Sequence, residues 1–152
     1  ITAANASPIN DGASALVLAS EEAVKKYNLA PLARIVGYAN AAQAPEKFTT
    51  APAVAIENVC KKTGVAKKDI DLFEINEAFA VVAMACAKLT DLDLAKVNVR
   101  GGAVALGHPI GSSGARILTT LIHALRDRNA NRGLATLCIG GGEAVALIVE
   151  RV

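Results

Sequence analysis

The 152-residue chain carries 16 basic and 14 acidic side chains, a formal net charge of +2, and is 53% apolar with 3% aromatic residues and no tryptophan. That size fits one domain, or one domain plus a piece of another, with an Ala/Val/Leu/Ile interior that excludes a disordered chain. Balanced charge with no basic block argues against a nucleic-acid partner, and the longest apolar run, Ala78 to Ala87, is about half of a membrane-spanning helix.

The chain opens on Ile1 with no leader-like stretch and reads as an excised piece of something longer. Residues 1 to 12 are small, polar and turn-rich, which predicts a loop. Ala13 to Ala19 is a short apolar run like a buried strand. Ser20 then caps a short helix with Glu21 and Glu22 in its first turn, where negative charge suits the helix dipole. Asn28 to Pro31 breaks that helix and marks a boundary between two units. Leu32 to Ala39 reads as a strand, followed by a loop through Pro45 and Phe48 to Pro52. Val54 to Thr63 reads as a helix closed by Gly64, with Ile56 and Cys60 on one face. Ile70 to Ile75 is a strand, and Glu77 to Leu89 a helix so apolar all round that it should be buried. Val97 to Val99 leads, as a strand, into a glycine-rich loop. Ser112 or Ser113 starts the next helix, with Ile117, Leu118, Leu121, Ile122 and Leu125 on one face and Arg116, Thr120, His123 and Asp127 on the other. Leu134 to Ile139 and Ala144 to Val149 are strands joined by three glycines. From residue 32 the order β-α-β-α-β-α-β-β predicts an α/β fold, a mostly parallel sheet with helices on its faces and a final hairpin.

Two glycine-rich segments carry the chemistry: Gly101 to Gly111 around His108-Pro109, and Cys138-Ile139-Gly140-Gly141-Gly142. Gly102 and Gly107 are spaced as in a phosphate-binding P-loop. The lysine and the hydroxyl that such a loop needs are replaced by His108 and Pro109, so no nucleoside-triphosphate site follows. A dinucleotide fingerprint is absent as well. An imidazole and a thiol remain, the usual pair for proton transfer and thiol chemistry near neutral pH. Taken alone, His108 is as readily a packed histidine in a Gly-Pro turn as a functional one, and Asn76 is as readily a helix cap. Cys60 and Cys86 read as inert core thiols and His123 as a surface residue. Three cysteines at unrelated spacings suit a reducing compartment better than a disulfide framework, and they lack a zinc spacing. Cys138 closes a buried strand at the end where α/β sheets place ligands. That same edge would gather Asn76, His108 and Cys138, and this convergence is the argument for a site.

Asn76-Glu77-Ala78-Phe79-Ala80, Gly101 to Gly111 and Cys138 to Gly142, together with Ala3 to Ser7 and Asn10-Asp11-Gly12, resemble the thiolases along the whole chain. The short-chain acetoacetyl-CoA type of mitochondria is the nearest likeness. The resemblance implies a thiolase-like βαβαβαββ domain over residues 31–152. It is preceded by residues 1–30, which match the end of the family's loop domain and the last strand and helix of its N-terminal domain. The family's nucleophilic cysteine belongs to a part outside this sequence. By the same resemblance His108 activates that nucleophile and helps stabilise the thioester oxyanion, and Cys138 is the second cysteine, a general acid/base. Asn76 holds the water of the first oxyanion hole, and the Gly140 N–H belongs to the second. Ser7 contacts coenzyme A, Phe48 lies near the acyl pocket, and the carbonyls of Ala3, Ala4, Ala6 and Val104 hold potassium.

The implied activity interconverts two acetyl-CoA with acetoacetyl-CoA and coenzyme A in a homotetrameric, mitochondrial or alternatively cytoplasmic enzyme. Its partners are acyl-CoA substrates and the N-terminal thiolase domain, with neither nucleic acid nor membrane. A longer-chain 3-ketoacyl-CoA thiolase and a non-catalytic acyl-CoA- or lipid-binding domain are the competing readings. Glu143 departs from the pattern, because relatives often carry a small or neutral residue there, and a carboxylate near Cys138 should oppose its thiolate.

Overall fold

The structure, a computed structural model, describes residues 1–152. Its centre is a four-stranded sheet: β1 (Ala33–Ala42), β2 (Leu72–Ile75), β3 (Arg132–Cys138) and β4 (Glu143–Arg151), in the spatial order β1-β4-β3-β2. Five α-helices accompany it: α1 (Glu21–Lys26), α2 (Ala51–Thr63), α3 (Ala80–Thr90), α4 (Ala103–Leu106) and α5 (Ser113–Asp127).

The fold is α/β, as expected, but its sheet is mixed rather than mostly parallel. Only β2 and β3 pair parallel; β4 is antiparallel to both β1 and β3. The helix-linked strands β1, β2 and β3 do all run one way, as crossover connections require. The hairpin strand β4 inserts between β1 and β3, so two of the three neighbouring pairs become antiparallel.

Alternation along the strands feeds two cores. Phe73, Ile75, Leu134 and Ile148 pack with α2 and α3 through Ile56, Val59, Val82 and Cys86. Leu72, Ala135 and Val149 pack with α5 through Ile117, Leu121, Ala124 and Leu125. Helix α2 starts three residues before its expected start, because Pro52 needs no N–H partner in the first turn, and it ends on Gly64 at φ 73° as expected. Ser20 caps α1 as expected, its side chain accepting from the Ala23 N–H at 3.1 Å.

Three expectations change. The Val97–Val99 strand is reduced to a single bridge between Val97 and Phe73. At Asn98 (φ 47°) the side chain takes over strand pairing: Oδ1 accepts from the Ile75 N–H and Nδ2 donates to the Ile75 carbonyl, each at 2.8 Å. Helix α3 is buried on one side only, with Val82, Ala83, Cys86 and Ala87 inside while Met84 is 64% exposed and Leu89 61%. Composition alone made it look buried all round, but it packs on only one neighbouring layer. Residues 13–19 form no strand, since no sheet edge lies beside them, and Val17 stands 92% exposed.

The N-terminal segment ahead of that run is nonetheless tied down. Residues 5–7 pair with 78–80: the Ser7 N–H donates to the Ala78 carbonyl (3.0 Å), and the Ala80 N–H to the Asn5 carbonyl (2.9 Å). Further on, the His108 N–H donates to the Pro8 carbonyl at 2.8 Å. This strap therefore crosses both loops that carry candidate residues.

Candidate active site

At the C-terminal end of β2, the Asn76 N–H donates to the Thr136 carbonyl at 2.9 Å, extending the parallel ladder with β3 by one residue. Parallel pairing of Ile75 with Thr136 thus places Asn76 beside the end of the strand that closes on Cys138. Asn76 is not the cap of α3; Phe79 holds that position. Its side chain is buried, with Oδ1 lacking a hydrogen-bond partner and Nδ2 3.5 Å from His108 Nε2. A buried acceptor without a partner is costly, so this oxygen marks a place where a small donor such as water is wanted.

His108 follows the short helix α4. Gly107 before it sits at φ 98°, and a β-carbon there would come within 2.3 Å of Asn10 Oδ1, so only glycine lets the strap pass so close. The loop is also held by Glu77, whose Oε2 accepts from the Val104 N–H at 3.1 Å. The half-buried imidazole has its Nδ1 2.6 Å from Ser113 Oγ. Burial first, and then the Arg116 guanidinium, hold its pKa below the usual histidine value, so it is a neutral base at physiological pH.

Cys138 lies at the mouth of the β3–β4 hairpin, where the Ile139 N–H donates to the Glu143 carbonyl (2.8 Å) and the Gly142 N–H to the Ile139 carbonyl (3.1 Å). Those internal bonds do not use the N–H of Gly140, which is exposed. Gly142 turns at φ 98° against the Gln43 carbonyl, which a β-carbon would approach to 2.3 Å. Burial pushes the Cys138 thiol up and a backbone hydrogen bond pulls it down. The Glu143 carboxylate lies against Gly141. Cys86 is buried and pushed up to about 12, and Cys60 is raised by burial, which suits inert core thiols.

The remaining candidates lie around this edge. Phe48 packs edge-on to Phe79, with ring centroids 5.9 Å apart. The Ser7 hydroxyl donates to the Ala78 carbonyl at 2.8 Å. The strap's backbone bonds leave the carbonyls of Ala3, Ala4 and Ala6 free of donors. Ser7 and Val104 both hang on the stretch Glu77–Ala80, Ser7 through the Ala78 carbonyl and Val104 through the Glu77 carboxylate.

Ser113 and Glu74 were not singled out as site residues. The first reads in sequence only as a helix start. The second is a buried carboxylate whose Oε2 lies 3.7 Å from Arg116, with its pKa pushed up to about 7 by burial. Its position on the α5 side of β2, in step with Leu72, was the available signal.

An imidazole, an amide and a thiol thus lie along one edge of a mixed α/β sheet. The sequence profile described as "Thiolase, C-terminal domain" matches residues 29–151, and the chain belongs to that family. A probable acetyl-CoA acetyltransferase of Dictyostelium discoideum is 57% identical over the whole chain, which covers 37% of that protein. The crystal structure of the Bacillus anthracis acetyl-CoA acetyltransferase is 51% identical, with a TM-score of 0.95 over 97% of this chain and 38% of that one. Human mitochondrial 3-ketoacyl-CoA thiolase in complex with CoA is 43% identical with a TM-score of 0.91, over 100% of this chain and 38% of that one. The chain thus spans well under half the length of the proteins it matches, and its relatives include proteins described as mitochondrial and as cytosolic.

Proposed function

We propose that the chain is the C-terminal part of an acetyl-CoA C-acetyltransferase that interconverts two acetyl-CoA with acetoacetyl-CoA and coenzyme A. In this reading residues 31–152 are the C-terminal domain, and residues 1–30 belong to the loop domain and the end of the N-terminal domain. The nucleophilic cysteine comes from elsewhere in the parent. The pairing of Asn76 with His108 beside the strand that ends at Cys138 is the observation that carries it.

In the cleavage direction the neutral His108 takes the proton of the nucleophilic thiol, and the thiolate adds to the 3-keto carbon of acetoacetyl-CoA. The oxyanion formed is stabilised by His108 and by a water held at Asn76 Oδ1. Breaking the carbon–carbon bond leaves an acetyl-enzyme and the enolate of acetyl-CoA. Cys138 then gives its proton to the enolate carbon. Its raised pKa keeps it a thiol, the form this step needs. The Gly140 N–H, unused within its own loop, serves the second oxyanion in this reading. Donors fixed in a water-poor site are worth about 3 kcal/mol each in such steps. Coenzyme A, giving its thiol proton back to Cys138, finally takes the acetyl group and frees the nucleophilic thiolate, which recovers its proton from His108. Ser7 contributes to the coenzyme A site and Phe48 to the acyl pocket. A potassium ion, when bound by the carbonyls of Ala3, Ala4, Ala6 and Val104, would order the strap without taking part in bond making. In this reading the parent is a mitochondrial homotetramer, with the cytoplasm as the alternative compartment; mitochondrial and cytosolic relatives support either.

The test is made in the complete parent. Cys138→Ser should still form the acyl-enzyme but lose most condensation, while His108→Ala should slow acylation itself. The opposite pattern would reverse the roles. Comparable thiolysis of a ten-carbon 3-ketoacyl-CoA would favour the longer-chain reading, and no thiolysis of either substrate would favour a binding domain.

A further inference from the structure

We propose that Ser113 is a positioning residue that holds His108 in the Nδ1–H tautomer and leaves the Nε2 lone pair facing Asn76 as the proton acceptor. That this lone pair serves thiol activation rests on the thiolase reading. The tautomer itself does not.

The argument begins with one hydrogen. Ser113 is buried at the first turn of α5, and its Oγ meets two groups: the Pro109 carbonyl at 3.0 Å and His108 Nδ1 at 2.6 Å. A hydroxyl has a single proton, and a carbonyl can only accept. The Pro109 contact is the back-bond to the carbonyl four residues earlier, a common arrangement for helical serines in which that oxygen keeps its N–H donors as well. Here those donors are the N–H groups of Ser112 (2.7 Å) and Ser113 (2.9 Å). With its proton on Pro109, Ser113 presents a lone pair to Nδ1, which must then carry the hydrogen.

The far side of the ring agrees. Asn76 presents Nδ2, a donor only, at 3.5 Å from Nε2, long for a hydrogen bond but of the sign that a lone pair attracts. The reverse tautomer would set the Nε2 hydrogen against the amide hydrogens. Ring orientation is fixed as well, since the backbone on one side is tied to Pro8 and the ring on the other to a buried hydroxyl. Ser113 touches neither of the reacting groups, so its action passes through His108. A serine at the start of a helix thus does for the imidazole what a carboxylate or a carbonyl often does.

The experiment reads the ring nitrogens directly. Uniformly 15N-labelled chain is recorded by long-range 1H–15N correlation at pH 8, and His123→Gln assigns the two rings. The expected spectrum shows His108 with Nδ1 in the protonated range and Nε2 in the unprotonated range, while exposed His123 shows an averaged mixture. Ser113→Ala should move His108 toward that mixture, and Ser113→Thr, which keeps an acceptor, should restore the single tautomer. In the complete parent, Ser113→Ala should lower acylation by acetoacetyl-CoA by about tenfold with little change in KM, a part of the roughly hundredfold or more that a general base contributes. His108 of the unsubstituted chain with its hydrogen on Nε2 would overturn the assignment, as would an Ala variant whose tautomer is unchanged. A locked tautomer in a parent that lacks thiolysis would sustain Ser113 and overturn only the thiolase reading.

Discussion

Asn98 offers the sharpest test of the fold, because one side chain stands in for a strand. Its amide makes two 2.8 Å bonds to the N–H and carbonyl of Ile75, a residue only 1% exposed, and its own backbone sits at φ 47°. Asn98→Ala removes both partners at once, and each orphaned backbone group costs about 1–3 kcal/mol. Alanine adds about 1 kcal/mol of strain at this left-handed φ, which asparagine tolerates. The total, about 3–7 kcal/mol, is a large part of the roughly 5–15 kcal/mol that holds a domain together. Asn98→Gly loses the same bonds but not the steric strain, and should be about 1 kcal/mol less damaging. Urea unfolding of the 152-residue chain, followed by far-ultraviolet circular dichroism, gives both differences from the midpoints at a common slope. An alanine variant within about 0.5 kcal/mol of the original would mean that water satisfies Ile75, and the strand-substitute argument would fail. A glycine variant worse than alanine would remove the backbone half of it.

Glu74 is pushed up to about 7 by burial, so the folded state holds its proton more tightly than the unfolded state does. Its stabilising contribution is present below about pH 4.5 and is lost as pH rises toward and through 7. Glu74→Gln should therefore raise stability at pH 8 by about 3 kcal/mol and change it little at pH 4, whereas an equal effect at both pH values would refute the buried-carboxyl account. The complete parent should be faster in potassium than in sodium at equal ionic strength; identical kinetics would count against the carbonyls of Ala3, Ala4, Ala6 and Val104 as a cation site. If Phe48 lines the acyl pocket as proposed, the parent should turn over 2-methylacetoacetyl-CoA at a rate comparable to the straight substrate, and undetectable turnover would sink that role. The pure 152-residue chain should show no thiolysis of acetoacetyl-CoA, since Cys60 and Cys86 are buried core thiols and the proposed reading gives Cys138 the acid/base role. Activity above a no-protein blank would show that the nucleophile lies within it.

Much of this architecture is local and was legible in the residues. Gly64 closes α2 because a left-handed cap suits glycine, Ser20 caps α1 through its hydroxyl, and the apolar stripe of Ile117, Leu121 and Leu125 finds its place against the sheet. The family motifs around Asn76, His108 and Cys138 were likewise visible as residue types in fixed order. Periodicity, however, reports only whether a segment has an apolar face. It cannot say which neighbour covers that face, so α3 was expected to be buried all round and residues 13–19 to form a strand. Nor can it say where a hairpin strand inserts, and β4 between β1 and β3 turns an expected parallel sheet into a mixed one. Tertiary structure alone decided that Asn98 would replace a strand and that the strap would pin the His108 loop. It also decided that the Ser113 hydroxyl would meet the imidazole. Each of these contacts joins atoms whose separation is set by the packing of whole elements, and no spacing along the chain encodes that distance.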